Sequence, residues 1–155
     1  QSRARMVIRQ PMGMWRSSAA QHSQSLESWY AHVPGLVVIC PATPQDNYSL
    51  LKAAIECDDP VVYLEHKNMW SLEGDVDKSE KATIGEARIC ERGDDVTIVS
   101  WSQTANLAVE AASVLRLEGI NAEVIDLRSL WPWDKDGVIK SVNKTGRLVV
   151  AHESQ

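Results

Sequence analysis

Apolar runs of strand length alternate along the chain with segments in which apolar residues recur at helical spacing. The first long run, residues 36–40 (LVVIC), is continuous, which is typical of a strand buried on both faces of a parallel sheet. Thr43 and Pro44 then combine a hydroxyl N-cap with a proline at the first helical position, and the helix they predict is expected to end before Pro60. A second apolar run occupies residues 61–64. This strand-helix-strand order predicts parallel strands joined by a right-handed crossover.

A short strand and a short helix are predicted before this unit. Residues 6–9 are apolar and predict the strand. Residues 25–32 place Leu26, Trp29 and Tyr30 at helical spacing. We therefore expect a short helix that buries these three side chains.

The second half of the chain opens with two apolar runs, residues 87–91 and 95–101. They are separated by Arg92-Gly93-Asp94, a turn signal that predicts an antiparallel hairpin. A helix is predicted at residues 103–117, with Ser102 as its N-cap. Its buried stripe is expected to comprise Leu107, Ala111, Val114 and Leu115.

The alternation continues to the end of the sequence. It predicts a strand at residues 122–127, a turn at 130–133, a helix at 134–142 and a strand at 147–151. The fold class predicted from this order is α/β with layered sheets.

Two modules are predicted within this fold. Residues 1–66 form the first, with a mainly parallel sheet, and residues 84–155 form the second, with a mixed sheet. Residues 67–83 are rich in charges and poor in apolar positions, so we interpret them as a linker. Because a smaller domain buries a smaller fraction of its surface, modules this small are expected to be incomplete pieces of larger three-layer αβα domains.

Charge and cysteine content exclude several classes of protein. The net charge is -5, with 16 Lys and Arg against 21 Asp and Glu, so neither a nucleic-acid partner nor a membrane partner is expected. No apolar run approaches the roughly 20 residues of a membrane span. Cys40, Cys57 and Cys90 are isolated, which fits a reducing compartment: the cytoplasm, or the mitochondrial matrix if the source is eukaryotic.

His22 is the first candidate for chemistry. It lies in the polar segment QHSQ, between a loop that contains glycine and proline and the predicted helix at residues 25–32. Histidine side chains titrate close to physiological pH and serve as proton donors and acceptors. The alternative is a loop residue that makes a structural hydrogen bond. Ser23 is interpreted as a structural neighbour, because no GxSxG elbow surrounds it.

Most of the chain resembles one family, the beta subunits of thiamine-diphosphate-dependent 2-oxoacid dehydrogenases and acetoin dehydrogenases. The segments that carry the resemblance are, in order, MVIRQPMG, AAQHSQSLESWYAHVPGLVVICPATPQD, SLLKAAIECDDPVVYLEHK, GDDVTIVSW, GINAEVIDLRSLWPWD and KTGRLVVAHES. The first three resemble the end of the family's pyrimidine-binding domain. The last three resemble its transketolase-like C-terminal domain.

The resemblance implies an α2β2 enzyme that uses thiamine diphosphate. The beta subunit would bind the pyrimidine half of the cofactor, while the alpha subunit would hold the diphosphate and its magnesium ion. The family's glutamate, which contacts the aminopyrimidine ring, would lie upstream of the first strand, so no residue of this sequence takes that role. His22 matches the family histidine that assists acyl transfer to a lipoyl group.

A potassium site is also implied by the resemblance. Matching by position gives the main-chain carbonyls of Ala54, Ile55, Cys57 and Asp59 as ligands, and carbonyls at the end of a helix suit a hard cation. The sequence departs from the family pattern at Cys57 and Asp59. The alternative is an ordinary helix end with solvated acids.

Three functional interpretations stay open. The first is a fragment of a beta subunit that decarboxylates a pyruvate-like 2-oxoacid oxidatively, together with an alpha subunit, a second beta subunit and a lipoyl-bearing acyltransferase. The second is the beta subunit of an acetoin dehydrogenase. The third is a non-catalytic module that contributes subunit contacts. Met12, Met14, Trp15 and Arg16 stand where the family is often glycine-rich, which leaves the substrate class open.

Overall fold

Two four-stranded sheets and four helices form the fold in the computed structural model, which describes residues 4–154. The strands are β1 (Val7–Met12), β2 (Val37–Ile39), β3 (Val61–His66), β4 (Arg88–Glu91), β5 (Val96–Ser100), β6 (Ala122–Asp126), β7 (Ser129–Trp131) and β8 (Leu148–Val150). The helices are α1 (Glu27–Ala31), α2 (Pro44–Glu56), α3 (Ser102–Leu117) and α4 (Lys135–Thr145). Short 3-10 turns occur at Ala20–His22 and Lys67–Met69.

The first sheet has the order β1-β3-β2-β7 and the second the order β4-β6-β5-β8. In the first sheet β1, β3 and β2 are parallel, and β7 pairs antiparallel with β2. In the second sheet β5 runs parallel to β6 and β8, whereas β4 pairs antiparallel with β6. The predicted α/β class is confirmed, with a mainly parallel first sheet and a mixed second sheet.

The predicted hairpin between β4 and β5 is wrong. These two strands lie on opposite sides of β6, so neither pairs with the other. Gly93 does not serve a hairpin turn. It allows close packing instead, because a Cβ at this position would come within 2.3 Å of the Asn121 carbonyl oxygen. Asp95 N also donates to that oxygen at 3.0 Å. The turn therefore packs on the start of β6 and does not close a hairpin.

Helix α2 begins as predicted. Thr43 Oγ1 accepts a hydrogen bond from Asp46 N at 3.1 Å, and Pro44 occupies the first turn. The helix buries Leu50 and Ala54 against the first sheet, in a core cluster with Val37, Ile39, Val61 and Tyr63. The capped start fixes where α2 crosses the sheet, and with it the position of Asp46.

Helix α3 has a different start and a different buried face from those predicted. The N-cap is Trp101, and Ser102 is the first helical residue, with a φ of 55° and a buried Oγ that lacks a hydrogen-bond partner. The buried face is formed by small residues, Ala105, Ala108 and Ala112, which allow the helix to approach β5 and β6 closely. The predicted stripe is wrong at Leu107, Ala111 and Val114, which are exposed, whereas Leu115 packs against the core as predicted.

Helix α1 is likewise oriented differently from the prediction. Trp29 is 69% exposed, whereas Glu27 is only 1% exposed. The carboxylate is buried because its Oε1 accepts a hydrogen bond from Trp101 Nε1 at 3.1 Å. The buried face of this short helix therefore includes a long-range polar contact.

Candidate functional site

His22 lies in the segment that leaves the carboxyl end of β1, which we call the His22 loop (residues 13–25). The residue is exposed, at the end of the 3-10 turn Ala20–His22. It borders a cavity of about 260 Å³ together with Gln10, Gln24, Tyr30 and Lys67. The imidazole is thus open to a molecule that enters from solvent or from a partner surface.

Hydrogen bonds within the His22 loop hold its backbone. Ser23 Oγ donates to the Ala19 carbonyl at 2.9 Å, and Gln24 Nε2 donates to the Ala20 carbonyl at 2.7 Å. Lys67 Nζ donates to the His22 carbonyl itself. The Ser23 hydroxyl is therefore engaged by the loop's own backbone, in agreement with its interpretation as a structural residue.

The residues before the 3-10 turn form an exposed aromatic surface. Trp15 and Trp70 have their ring centroids 5.9 Å apart, and the Arg16 guanidinium lies 5.2 Å from the centroid of Trp15. Met14 is also exposed, whereas Met12 is buried beneath the loop. Of the bulky residues noted in the sequence, Met12 alone belongs to the core.

His66 is buried at the carboxyl end of β3, directly behind the His22 loop. Its Nδ1 accepts a hydrogen bond from Asn68 N at 3.2 Å, and its Nε2 lies 2.8 Å from Glu153 Oε2. Glu153 Oε2 also accepts a hydrogen bond from Ser25 Oγ at 3.4 Å. These contacts join the first sheet, the His22 loop and the segment that follows β8.

A second buried polar group lies under α1. Glu27 Oε2 has no hydrogen-bond partner, whereas Oε1 accepts a hydrogen bond from Trp101 Nε1. The Trp101 ring stacks on the His152 ring, with 4.9 Å between their centroids. Burial, and then the charges of Glu27 and Asp126, raise the pKa of the nearby Cys40 thiol well above its ordinary value. Cys40 is therefore a neutral thiol at physiological pH. Sequence reasoning missed Glu27, since a lone glutamate on a short helix normally faces water.

A buried ion cluster, formed by Asp46, Arg88, Asp126 and Arg128, joins α2 to the second sheet. Arg88 donates to Asp46 Oδ2 at 2.7 Å and to Asp126 Oδ2 at 3.1 Å. The Arg128 guanidinium donates to the Glu86 carbonyl, at 2.9 Å from Nε, and lies 3.8 Å from Asp46. Burial, reinforced by the charge of Asp46, raises the pKa of Asp126 to about 7.

The predicted potassium ligands lie where α2 ends. The Ala54 carbonyl accepts a hydrogen bond from Cys57 N at 3.3 Å, and Cys57 has already left the helix with extended backbone angles. Ile55 and Asp59 are exposed. Within residues 4–154 no group of three or more His, Cys, Asp and Glu side chains is arranged to hold a metal ion, so an ion at this turn depends on main-chain oxygens.

Relatives of known function match nearly the whole chain. It is 49% identical over 150 residues to the acetoin:2,6-dichlorophenolindophenol oxidoreductase subunit beta of Cupriavidus necator, covering 96% of this chain and 44% of that protein. It is 42% identical to the pyruvate dehydrogenase E1 component subunit beta of Rickettsia bellii, covering 99% of this chain and 47% of that protein. It is 39% identical to the 2-oxoisovalerate dehydrogenase subunit beta of Bacillus subtilis, covering 96% of this chain and 46% of that protein. The chain thus spans about half the length of these relatives.

The fold and two family models agree with these relatives. A solved structure described as "Split gene transketolase, inactive beta4 tetramer" superposes with a TM-score of 0.80 at 28% identity, covering 96% of this chain and 48% of that chain. The pyrimidine binding domain of transketolase matches residues 1–71, and the C-terminal domain of transketolase matches residues 85–155. These matches define the class, a transketolase-like α/β protein.

Within that class the relatives identify the branch. The chain has the pyrimidine-binding and C-terminal domains of the transketolase family, and its homologues are beta subunits of thiamine-diphosphate-dependent 2-oxoacid and acetoin dehydrogenases, so the resemblance found in the sequence is confirmed. Matched beta subunits from rice and Caenorhabditis elegans are described as mitochondrial. Among residues 4–154, no helix has both the length and the apolarity that crossing a bilayer requires.

Proposed function

We propose that this chain is part of a beta subunit that catalyses oxidative decarboxylation of a pyruvate-like 2-oxoacid with acyl transfer to a lipoyl group. The observation that supports this most is the exposed His22 beside an open cavity, on a chain 42% identical to a pyruvate dehydrogenase beta subunit. Residues 1–66 and 84–155 are proposed as its two domains, and residues 67–83 as the linker. The proposed compartment is the cytoplasm, or the mitochondrial matrix if the source is eukaryotic.

The polar side chains that line the His22 cavity are suited to contact bound thiamine diphosphate or its substrate. The cavity presents amides from Gln10 and Gln24, the Tyr30 hydroxyl and the His22 imidazole. The ring-activating glutamate is proposed to lie elsewhere in the complete subunit. Bound thiamine diphosphate supplies the carbon nucleophile and the electron sink for decarboxylation. Its magnesium ion and diphosphate are proposed to be held by an alpha subunit.

His22 has a defined role in this proposal. When the acyl carbon bonds to one sulfur of the dithiolane ring, the S–S bond breaks and the other sulfur takes up a proton. The His22 imidazole, in its protonated form, donates that proton from a ring nitrogen. Its exposure allows a lipoyl group from a separate acyltransferase to reach it.

Single-turnover acylation of a lipoyl domain tests this role, using the complete beta subunit with its alpha partner. His22→Ala is expected to slow acylation by about 100-fold or more, the range typical of general acid catalysis. Decarboxylation measured with an artificial electron acceptor is expected to change much less. His32→Ala, an exposed histidine outside the cavity lining, serves as the control. Acylation at the normal rate in His22→Ala would remove this residue from the mechanism.

A beta subunit of an acetoin dehydrogenase is the second candidate. The 49% identity to the acetoin-oxidising subunit of Cupriavidus necator favours it. The exposed Met14 and Trp15 add apolar surface to the His22 loop, where substrate selection can occur. Assays of the intact subunit pair against pyruvate, branched 2-oxoacids and acetoin decide between the two candidates.

We also propose that the carbonyls of Ala54, Ile55, Cys57 and Asp59 bind a potassium ion. The support is the position of these residues at and just after the end of α2, where the last carbonyls of a helix lack regular intrahelical partners. Thermal unfolding in potassium chloride, compared with choline chloride at equal ionic strength, tests the site. A higher melting temperature in potassium is expected, and equal temperatures would contradict the proposal.

A further inference from the structure

We propose that Glu153 and His66 are positioning residues that hold the His22 loop in place from the segment after β8. The inference rests on the proposed role of His22, since its functional meaning depends on what that imidazole does. The structural claim concerns the loop alone and can be tested without catalysis. Its basis is a continuous set of contacts that begins at the two ends of the loop.

The two ends of the His22 loop meet against His66. Gly13 N donates to the Gln24 carbonyl at 2.8 Å, which closes the loop at its base. Gly13 has a φ of 80°, and a Cβ built on it would lie 2.0 Å from His66 Nε2 and 2.3 Å from Cδ2. The base of the loop therefore packs directly on the imidazole, and only glycine fits at that contact.

The protonation of His66 is set by its neighbours. Because Nδ1 accepts a hydrogen bond from the Asn68 N–H, the proton of the neutral ring is on Nε2. That nitrogen then donates to Glu153 Oε2 at 2.8 Å. The carboxylate has further acceptor capacity, which Ser25 Oγ uses at 3.4 Å. Glu153 thus joins the residue behind the loop to the last residue of the loop.

Ser154 extends the attachment beyond Glu153. Its Oγ lies 2.7 Å from Ser28 Oγ and 3.3 Å from the Ser25 carbonyl oxygen. Ser25 and Ser28 flank the start of α1, so the segment after β8 contacts the chain on both sides of that start. Since β8 belongs to the second sheet, these contacts link that sheet to the His22 loop. Misplacement of a reacting group by about 1 Å is enough to cost 100-fold in rate.

Hydrogen-deuterium exchange of the complete beta subunit, paired with its alpha subunit, tests the attachment. Glu153→Ala is expected to speed exchange in peptides covering the His22 loop by about tenfold, the effect of one lost hydrogen bond to a charged group. Glu153→Gln retains an acceptor oxygen and is expected to keep most of the protection. Glu110→Ala, at an exposed position on α3, is the matched control and is expected to behave as the unmodified chain.

Two exchange results would overturn the proposal. One is unchanged loop exchange in Glu153→Ala, and the other is faster exchange spread evenly over the chain, which would indicate general destabilisation. A nitrogen-15 spectrum of the histidine side chains adds a second measurement, in which His66 is expected as the Nε2–H tautomer with a signal that moves in Glu153→Ala. Finding the proton on Nδ1 would also contradict the proposal.

Kinetics separates this proposal from the proposed function. In the complete enzyme, Glu153→Ala is expected to lower the rate of lipoyl acylation, and Glu153→Gln is expected to restore most of it. If His22→Ala leaves acylation unchanged while Glu153→Ala still loosens the loop, the role assigned to His22 fails and the positioning contact stands. If the loop does not loosen, the positioning contact fails whatever His22 does.

Discussion

The Arg88→Met substitution tests how strongly the buried ion cluster ties α2 to the second sheet. Arg88 is the cation shared by two carboxylates, and its guanidinium reaches Asp46 through two nitrogens at 3.1 and 2.7 Å. A further hydrogen bond, to Asp126 Oδ2, is 3.1 Å long. Methionine has a similar length and no charge, so it removes the cation with little loss of volume.

The expected loss follows from burial. Asp46 is 1% exposed and Asp126 is 0% exposed, so both carboxylates would face each other without their shared cation. Removing one partner of a buried ion pair destabilises a protein by about 3–5 kcal/mol. Because the Arg88 side chain is 31% exposed, we expect the lower end, about 3 kcal/mol at pH 8. The loss should shrink at pH 5, since protonation of Asp126 relieves the repulsion.

Urea unfolding at pH 8 measures this free energy, with Arg116→Met as the matched control. Arg116 pairs with Glu91 at the same 2.7 Å distance, but the two side chains are 50% and 28% exposed. An exposed pair of this kind contributes about 0–1 kcal/mol. The reasoning is refuted if Arg88→Met loses no more free energy of unfolding than Arg116→Met does.

Two further predictions concern buried polar groups. The pKa of Asp126 is raised from 3.8 to about 7, so its contribution to stability is present below pH 4 and is lost as the pH rises through 7. Asp126→Asn should flatten that decline in a series of urea midpoints, and an unchanged decline would contradict the assignment. Thr97 Oγ1 lies 2.7 Å from Ser141 Oγ and 2.8 Å from Thr145 Oγ1, all buried. Thr97→Val should cost about 1–3 kcal/mol, whereas the exposed Thr83→Val should cost almost nothing, and equal losses would contradict this role.

Elements with local signals were the predictable part of the fold. Helix α2 combines an N-cap, a proline and helical spacing within its own sequence, and the structure agrees at its first turn. Strands β2 and β3 are continuous apolar runs, and both are buried in the first sheet. Pairing between β4 and β5 was mispredicted because a turn signal says where the chain bends, whereas strand order depends on contacts far along the sequence.

The buried faces of α1 and α3 show where residue size misleads. Sequence patterns assign the core to the largest apolar residues, which placed Trp29 and Leu107 inside. In the structure, alanines bring α3 close to its sheet, and the Glu27 carboxylate is buried against Trp101 Nε1. The spacing of apolar residues does not indicate how closely a helix packs on its sheet, nor which residue pairs with a buried charge. The buried faces of α1 and α3 could therefore not be predicted.

The candidate site was predictable in its residue type but not in its support. His22 follows from its chemistry and its loop, whereas the contacts that hold the loop join residues up to 129 positions apart in the sequence, as in Ser25 with Ser154. A general rule still links His22 to the residues that support its loop, because ligand sites in α/β proteins lie at the carboxyl ends of parallel strands. Gly13 follows β1, His66 ends β3, and Glu153 lies three residues after β8. Polar residues just after predicted parallel strands are therefore the signal to search, and they point to the same edge that the His22 loop occupies.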